Sequence, residues 1–199
     1  VNETIAMVLV GILFSLSAGV RITLPLLALN LLAYHHVVTL PTNLAWMGTE
    51  QTLLLLGVAF IAETLVHFVP VVGTGVKAAV TPLTFAAGTL LMAVPLADKT
   101  PLVQWALAGI FGDGLATLTH AGVTGLRTVS APANLATGGL FGLLWNGGEM
   151  LVSALFSLLA LVFLWLGWIL GVALLGLVLA AAGFLTYRQW KRVWRFRPI

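Results

Sequence analysis

The chain has 199 residues, of which 60% are hydrophobic and 8% charged, with a formal net charge of +3 and no cysteine. Soluble domains carry about a quarter charged residues, so this sequence cannot cover a water-facing surface, and its apolar richness excludes a disordered chain. The apolar runs are continuous rather than alternating, which excludes a transmembrane barrel; the missing thiols exclude disulfides, thiolate metal sites and cysteine nucleophiles. What remains is an all-α polytopic integral membrane bundle, with length for about six to eight spans of about 20 residues each.

Apolar segments follow one another at 5–18, 21–34, 51–67, 77–94, 102–118, 127–146, 150–166 and 168–187. Only Glu3 precedes the first, where a signal peptide needs a positive region, so 5–18 is read as a membrane segment. The first two are joined by Ser17-Ala-Gly-Val-Arg21 without a polar loop. Each reaches about 21 Å as a helix, short of a hydrocarbon core of about 30 Å. Irregular backbone at that depth has to be buried in protein or line a wet cavity, so broken or re-entrant helices are expected here. Polar or Pro/Gly-rich separators are read at His35–Glu50, Pro95–Pro101 and Asn146–Glu149.

Residues 150–186 carry no charge and would run about 55 Å as one helix. Two spans turning near Trp165, Gly167 and Trp168 fit a bilayer better. The tail then places Arg188, Lys191, Arg192, Arg195 and Arg197 among Trp190, Trp194 and Phe196. Basic and aromatic residues beside a span anchor it at the cytoplasmic interface, so the C-terminus is expected in the cytoplasm and no nucleic-acid partner is expected.

Residues 60–90 align without a gap on 110–140 at a shift of fifty. Glu63 falls on Asp113, Gly75 on Gly125, Lys77 on Arg127 and Pro82 on Pro132. Gly19-Val20-Arg21 followed by Pro25 echoes the same order of glycine, aliphatic, basic residue and proline. The glycine is expected to permit a turn, the basic residue to open the next segment, and the proline to sit near its first turns, where a missing N–H costs least. On this reading residues 1–146 form three degenerate helix-break-helix repeats, and 147–199 a closing transmembrane hairpin with its basic tail.

A charge at the bilayer centre costs at least about 2.5–3.5 kcal/mol. The candidate substrate-binding residues are therefore the charges kept inside or at the ends of apolar segments, Arg21, Glu63, Lys77, Asp113 and Arg127, together with His120. One reading gathers Arg21, Lys77 and Arg127 around a polar cavity for an anionic ligand. The other pairs Glu63 with Lys77 and Asp113 with Arg127 as structural ion pairs. His67 shares a helix face with Glu63, and His120 with Asp113, as proton relays or ordinary hydrogen-bonded partners; His35 and His36 are read as solvated. Ser17, Thr128 and Ser130 are expected to bond back to their own helices. No metal-binding, phosphate-loop, dinucleotide or hydrolase motif is present, so no metal, cofactor or catalytic residue is expected, and a non-enzyme is favoured over an enzyme.

The stretch Ser17-Ala-Gly-Val-Arg-Ile-Thr-Leu-Pro-Leu-Leu-Ala-Leu29 resembles the N-terminal signature of a family of small bacterial inner-membrane proteins known as domain of unknown function 4126. His120-Ala-Gly, Gly125-Leu-Arg127 and Ser130-Ala-Pro132 resemble its second signature. The resemblance implies a multi-pass protein of the bacterial inner membrane and no particular activity. Repeats, breaks at membrane depth and buried charge together point to a small carrier for an anionic substrate, lipid phosphate included. The alternative is a non-catalytic accessory or scaffold subunit of a membrane complex; a lipid-modifying enzyme ranks third. Membrane lipids, an anionic ligand, and a homo-oligomeric or complex partner are the partners expected.

Overall fold

Lipid offers the backbone no hydrogen-bond partner, so charge-free runs of Leu, Ala and Gly fold as helices that satisfy themselves. A computed structural model of the chain describes residues 2–68, 73–164, 176 and 180, and among these it contains helices and no strand. Helix α1 spans Asn2–Val20, α2 Thr23–Tyr34, α3 Glu50–Phe68 and α4 Gly73–Ala93, with a 3₁₀ turn at Thr42–Gly48 ahead of α3. Next come α5 at Pro101–Leu107, a π-helical segment at Ala108–Asp113 and α6 at Gly114–Ala136. These three run on as one helix of 36 residues, and α7 follows at Leu140–Leu164 with 25.

The continuous α5–α6 helix and α7 are both long and apolar enough to cross a membrane. The 3₁₀ turn and α3, meeting at 60°, make a third crossing if taken as one bent span. The chain is a membrane protein.

Helix α1 lies at the centre. Its Leu13, Phe14 and Ala18 are buried against Ala87 and Leu91 of α4, Ala108 of the π segment, and Ala160 and Phe163 of α7. Helices α4 and α5–α6 meet backbone to backbone. A Cβ on Gly88 would lie 2.4 Å from the Gly112 carbonyl oxygen, and one on Gly112 would lie 2.2 Å from that of Gly88. Small residues are how helices approach closely where lipid supplies no hydrophobic drive. The crossing coincides with the π segment, where the helix is locally widened.

The expected break between 102–118 and 127–146 is absent. The helix continues to Ala136 and turns at 137–139, where Gly138 and Gly139 take φ of +61° and +95°, values cheap for glycine alone. Asn134 ties the turn from both sides: its carbonyl accepts from Gly139 N–H at 2.9 Å and its side-chain oxygen from Gly142 N–H at 2.7 Å. The Thr137 hydroxyl accepts from Phe141 N–H at 3.1 Å. Asn146–Glu149, read as a separator, therefore sits inside α7, as does the 146/147 boundary.

The aligned stretches also differ in plan. Residues 60–90 are divided between α3 and α4, whereas α6 runs unbroken through 114–136. The glycine-aliphatic-basic motif marks a break at Gly19–Arg21 but lies within a helix at Gly125–Arg127, and Pro82 and Pro132 are both interior to helices. The turn expected at Trp165–Trp168 and the basic tail fall outside the described residues.

The crossing at Gly88 and Gly112 gives a direct test. Gly88→Ala or Gly112→Ala drives a methyl into a facing carbonyl and is expected to destabilise the bundle by about 1–3 kcal/mol or more. Gly125→Ala, which meets nothing within 4 Å, is expected to leave stability within about 0.5 kcal/mol. Thermal unfolding of the three variants in one detergent compares them.

Candidate functional site

Two residues separate α1 from α2, Arg21 and Ile22. The first amides of α2 have no partner within their own helix. Glu63, in the last two turns of α3, supplies one. Its carboxylate accepts from Ile22 N–H at 3.2 Å, from Thr23 N–H at 3.1 Å and from the Thr23 hydroxyl. A negative charge at a helix N-terminus also meets the favourable end of the helix dipole. Pro25, buried in the first turn of α2, removes one further amide that would need a partner.

Arg21 is buried to 2% exposure. Its Nη2 donates to the carbonyl of Asn146 in α7 at 3.3 Å, while Nε and Nη1 have no hydrogen-bond acceptor among the described residues. Glu63 and Glu149 attract its charge and Arg127 opposes it. One turn of α7 thus reaches two cations. Asn146 takes Arg21, and three residues on, Glu149 takes Arg127 from α6 through a two-pronged pair, the geometry that makes guanidinium–carboxylate contacts strong. Arg127 Nε lies 2.6 Å from Glu149 Oε1. The Trp145 indole N–H donates to the same carboxylate, and Glu149 is 5% exposed.

A cavity of about 630 Å³ opens above this arrangement, within the range of small-molecule sites. Glu63, His120 and Arg127 are among its lining, with Thr84, Ser130 and Asn134 as neutral polar groups and Val66, Val80, Leu135 and Phe141 as apolar ones. Ile22 and Asn146, the neighbours of Arg21 on either side, line it too, while Arg21 lies behind them. Among the described residues no three His, Asp or Glu side chains gather as metal ligands.

Of the six residues read as a site, Glu63, His120 and Arg127 share this cavity, and Arg21 adjoins it. Lys77 lies within α4, but its side chain is outside the described residues, as is that of His67; neither the Glu63–Lys77 pair nor the Glu63–His67 relay is described. Asp113 stands apart. It ends the π segment and accepts from the Thr117 hydroxyl of the next turn at 2.7 Å. The expected Asp113–Arg127 pair is replaced by Arg127–Glu149. Fourteen residues along one continuous helix separate the first two by about 21 Å, beyond the reach of any side-chain pair.

Glu149 was not among the expected site residues because Asn146-Gly-Gly-Glu149 reads as a loop. The signal that finds it is its position as an acid heading a long charge-free run, where only a partner makes it tolerable. Thr128 and Ser130 bond back to α6 as expected, at 2.9 Å and 3.0 Å. Ser17 does not. Its hydroxyl crosses to α7, 2.8 Å from Ser153 Oγ and 2.9 Å from Ser157 Oγ, locking α1 to the helix that carries Asn146 and Glu149.

Residues 8–184 match the sequence profile of a family described as a domain of unknown function, DUF4126. No curated protein and no solved structure matches the chain.

The pairing predicts which acid Arg127 depends on. Glu149→Gln strips the charge from a buried pair and is expected to cost about 3 kcal/mol. Asp113→Asn keeps an acceptor for Thr117 and is expected to cost about 1 kcal/mol or less. Unfolding midpoints of the two variants, each with and without Arg127→Gln, check this: Arg127→Gln should rescue part of the Glu149→Gln loss and none of the Asp113→Asn loss.

Proposed function

The chain belongs to the DUF4126 family, and on the geometry above we propose that it is a small membrane carrier for an anionic substrate with an apolar body, a lipid phosphate being the simplest such molecule. The observation that carries the reading is the cavity, whose lining includes Arg127, Glu63 and His120 together with apolar side chains such as Val66, Val80, Leu135 and Phe141. Arg127, whose Nε and Nη2 are held by Glu149, is the cation that draws the anion into the cavity. Glu149 holds it in position and offsets the cost of keeping it in the membrane. His120, on the same lining, provides a further hydrogen-bonding side chain. The break between α1 and α2 supplies the irregular backbone at a ligand site that carriers commonly use.

The same reading places the protein in the bacterial inner membrane with its C-terminus in the cytoplasm, because the tail from Arg188 to Arg197 is basic and follows a long apolar run. One observation favours the accessory-subunit alternative. Gly114, Gly122 and Gly125 of α6 face open space, and small residues on an exposed membrane face suit a partner helix.

Two measurements test these readings. Native mass spectrometry of protein extracted with its own lipids is expected to find a bound anionic amphiphile, and Arg127→Gln to weaken its retention about tenfold, the worth of roughly one charge-assisted hydrogen bond. Equal retention by Arg127→Gln and the parent removes Arg127 from ligand binding and raises the accessory-subunit reading above the carrier. A reporter fused after Ile199 is expected to score cytoplasmic; a periplasmic score reverses the orientation.

A further inference from the structure

One end of the bundle is tied together by side-chain hydrogen bonds. The Asn30 amide of α2 donates to the carbonyls of Met47 and, at 3.5 Å, Thr49. The Trp46 carbonyl accepts from the hydroxyls of Thr49 at 2.9 Å and Thr52 at 2.7 Å. Asn43 of the same 3₁₀ turn donates to Gln104 Oε1 at 3.4 Å, and Gln104 Nε2 donates to the Ala93 carbonyl at 2.9 Å. Asn30 and Gln104 are both buried. The end of α2, the 3₁₀ turn, the start of α3 and the α4–α5 connection are thereby fixed as one rim.

The aromatic side chains of this rim lie on its outside. Tyr34 is 39% exposed, Trp46 51% and Trp105 38%, although Leu44 and Met47 of the same turn are buried. Among the described residues no two of these three rings are in contact. The exposed surface changes character at their level. Toward the chain turns it carries His35, His36, Glu50 and, paired with one another in the open, Asp98 and Lys99. Away from them it shows Leu54, Leu55, Val58 and Ile61 of α3 and Ile110 and Phe111 of the π segment, each more than half exposed. Trp and Tyr combine an apolar ring with a polar tip, and a boundary between water and hydrocarbon is where such side chains gather in membrane proteins.

We infer that this rim is a membrane-interface anchor: the 3₁₀ turn at Thr42–Gly48 rests in the phospholipid headgroup layer, with Tyr34, Trp46 and Trp105 at the edge of the hydrocarbon, and α3 alone makes the crossing. Helix α3 has 19 residues, a rise of about 28 Å. That nearly matches a hydrocarbon core of about 30 Å, so the crossing needs nothing from the turn. The turn meets α3 at 60°, which lays it closer to the membrane plane than to the normal when α3 stands upright. Its two faces suit that position, Leu44 and Met47 packing inward while the Trp46 ring reaches lipid. Rings set apart from one another on three chain segments, with an open ion pair beside them, fit a belt against headgroups better than a single protein contact. The inference is independent of what the cavity binds.

The chain has no cysteine, so one introduced at an exposed position carries a spin label uniquely. Ala45→Cys, Trp46→Cys, Trp105→Cys, Ile61→Cys and Lys99→Cys are labelled singly on the full chain in phosphatidylcholine bilayers. Collisions with oxygen, which concentrates in hydrocarbon, and with a water-soluble nickel chelate give the depth of each label. The labels at 45, 46 and 105 are expected within about 5–10 Å of the boundary between headgroups and hydrocarbon. The label at 99 is expected in water. The label at 61, a rise of about 16 Å along α3 from Glu50, is expected about 10 Å or more deeper than that at 45.

Labels at 45 and 46 as deep as that at 61 overturn the inference and make the turn part of a bent span. Labels there shielded from both reagents overturn it in favour of a protein partner over the rim, and labels as open to nickel as that at 99 leave the turn in water with no anchor. Ala45→Cys retains all three rings and every hydrogen bond named above, so its reading decides the matter whether or not Trp46→Cys folds.

Discussion

A helix start leaves amide hydrogens that its own turns cannot satisfy, and each one buried without an acceptor costs several kcal/mol. The break at Arg21 and Ile22 sets that demand, and the rest of the site answers it. Glu63, in the last two turns of α3, reaches Ile22 and Thr23. An acid at that depth needs positive charge nearby, and Arg21 is that charge. Arg21 in turn needs a wall of protein, which α7 provides through the Asn146 carbonyl. From one chain break follow an acid, a cation and the helix that covers them.

The second cation is solved differently. Arg127 and Glu149 exchange a two-pronged pair, with the Trp145 indole on the same carboxylate. Each partner alone would cost at least about 2.5–3.5 kcal/mol at mid-membrane, so the pair is what allows α6 to carry a guanidinium into the cavity. The contrast between the two arginines is informative. Arg127 has its acceptors in Glu149, and 25% of its side chain is accessible; Arg21 is buried and holds donors in reserve.

The membrane class, the break between α1 and α2 and four of the site's charges were legible in the sequence, for one physical reason: charges and polar joints are so costly among apolar runs that each one stands out. Pairing was not legible. Glu63 acts on amides 41 and 40 residues away, and no local pattern encodes that distance. The fifty-residue alignment assigned Asp113 to Arg127, but α6 is straight where α3 and α4 are separate helices. The turn at Gly138-Gly139 outweighed the polar Asn146–Glu149 stretch, because two adjacent positive-φ residues stop a helix more decisively than polarity does once the polar groups have partners. Mistaking that turn hid Glu149.

The two charge pairings also differ in how they enter the membrane. Arg127 and Glu149 are 22 residues apart on helices joined by a three-residue turn, so α6 and α7 insert as a hairpin whose charges neutralise each other at once. Arg21, in the break before α2, and Glu63, in α3, are separated in the chain by α2 and a 3₁₀-containing connection. Arg21 reaches Asn146 only after α7 has packed on α1 through Ser17, Ser153 and Ser157. The hairpin is therefore self-sufficient, whereas the α2 start is completed by the last helix of the described fold.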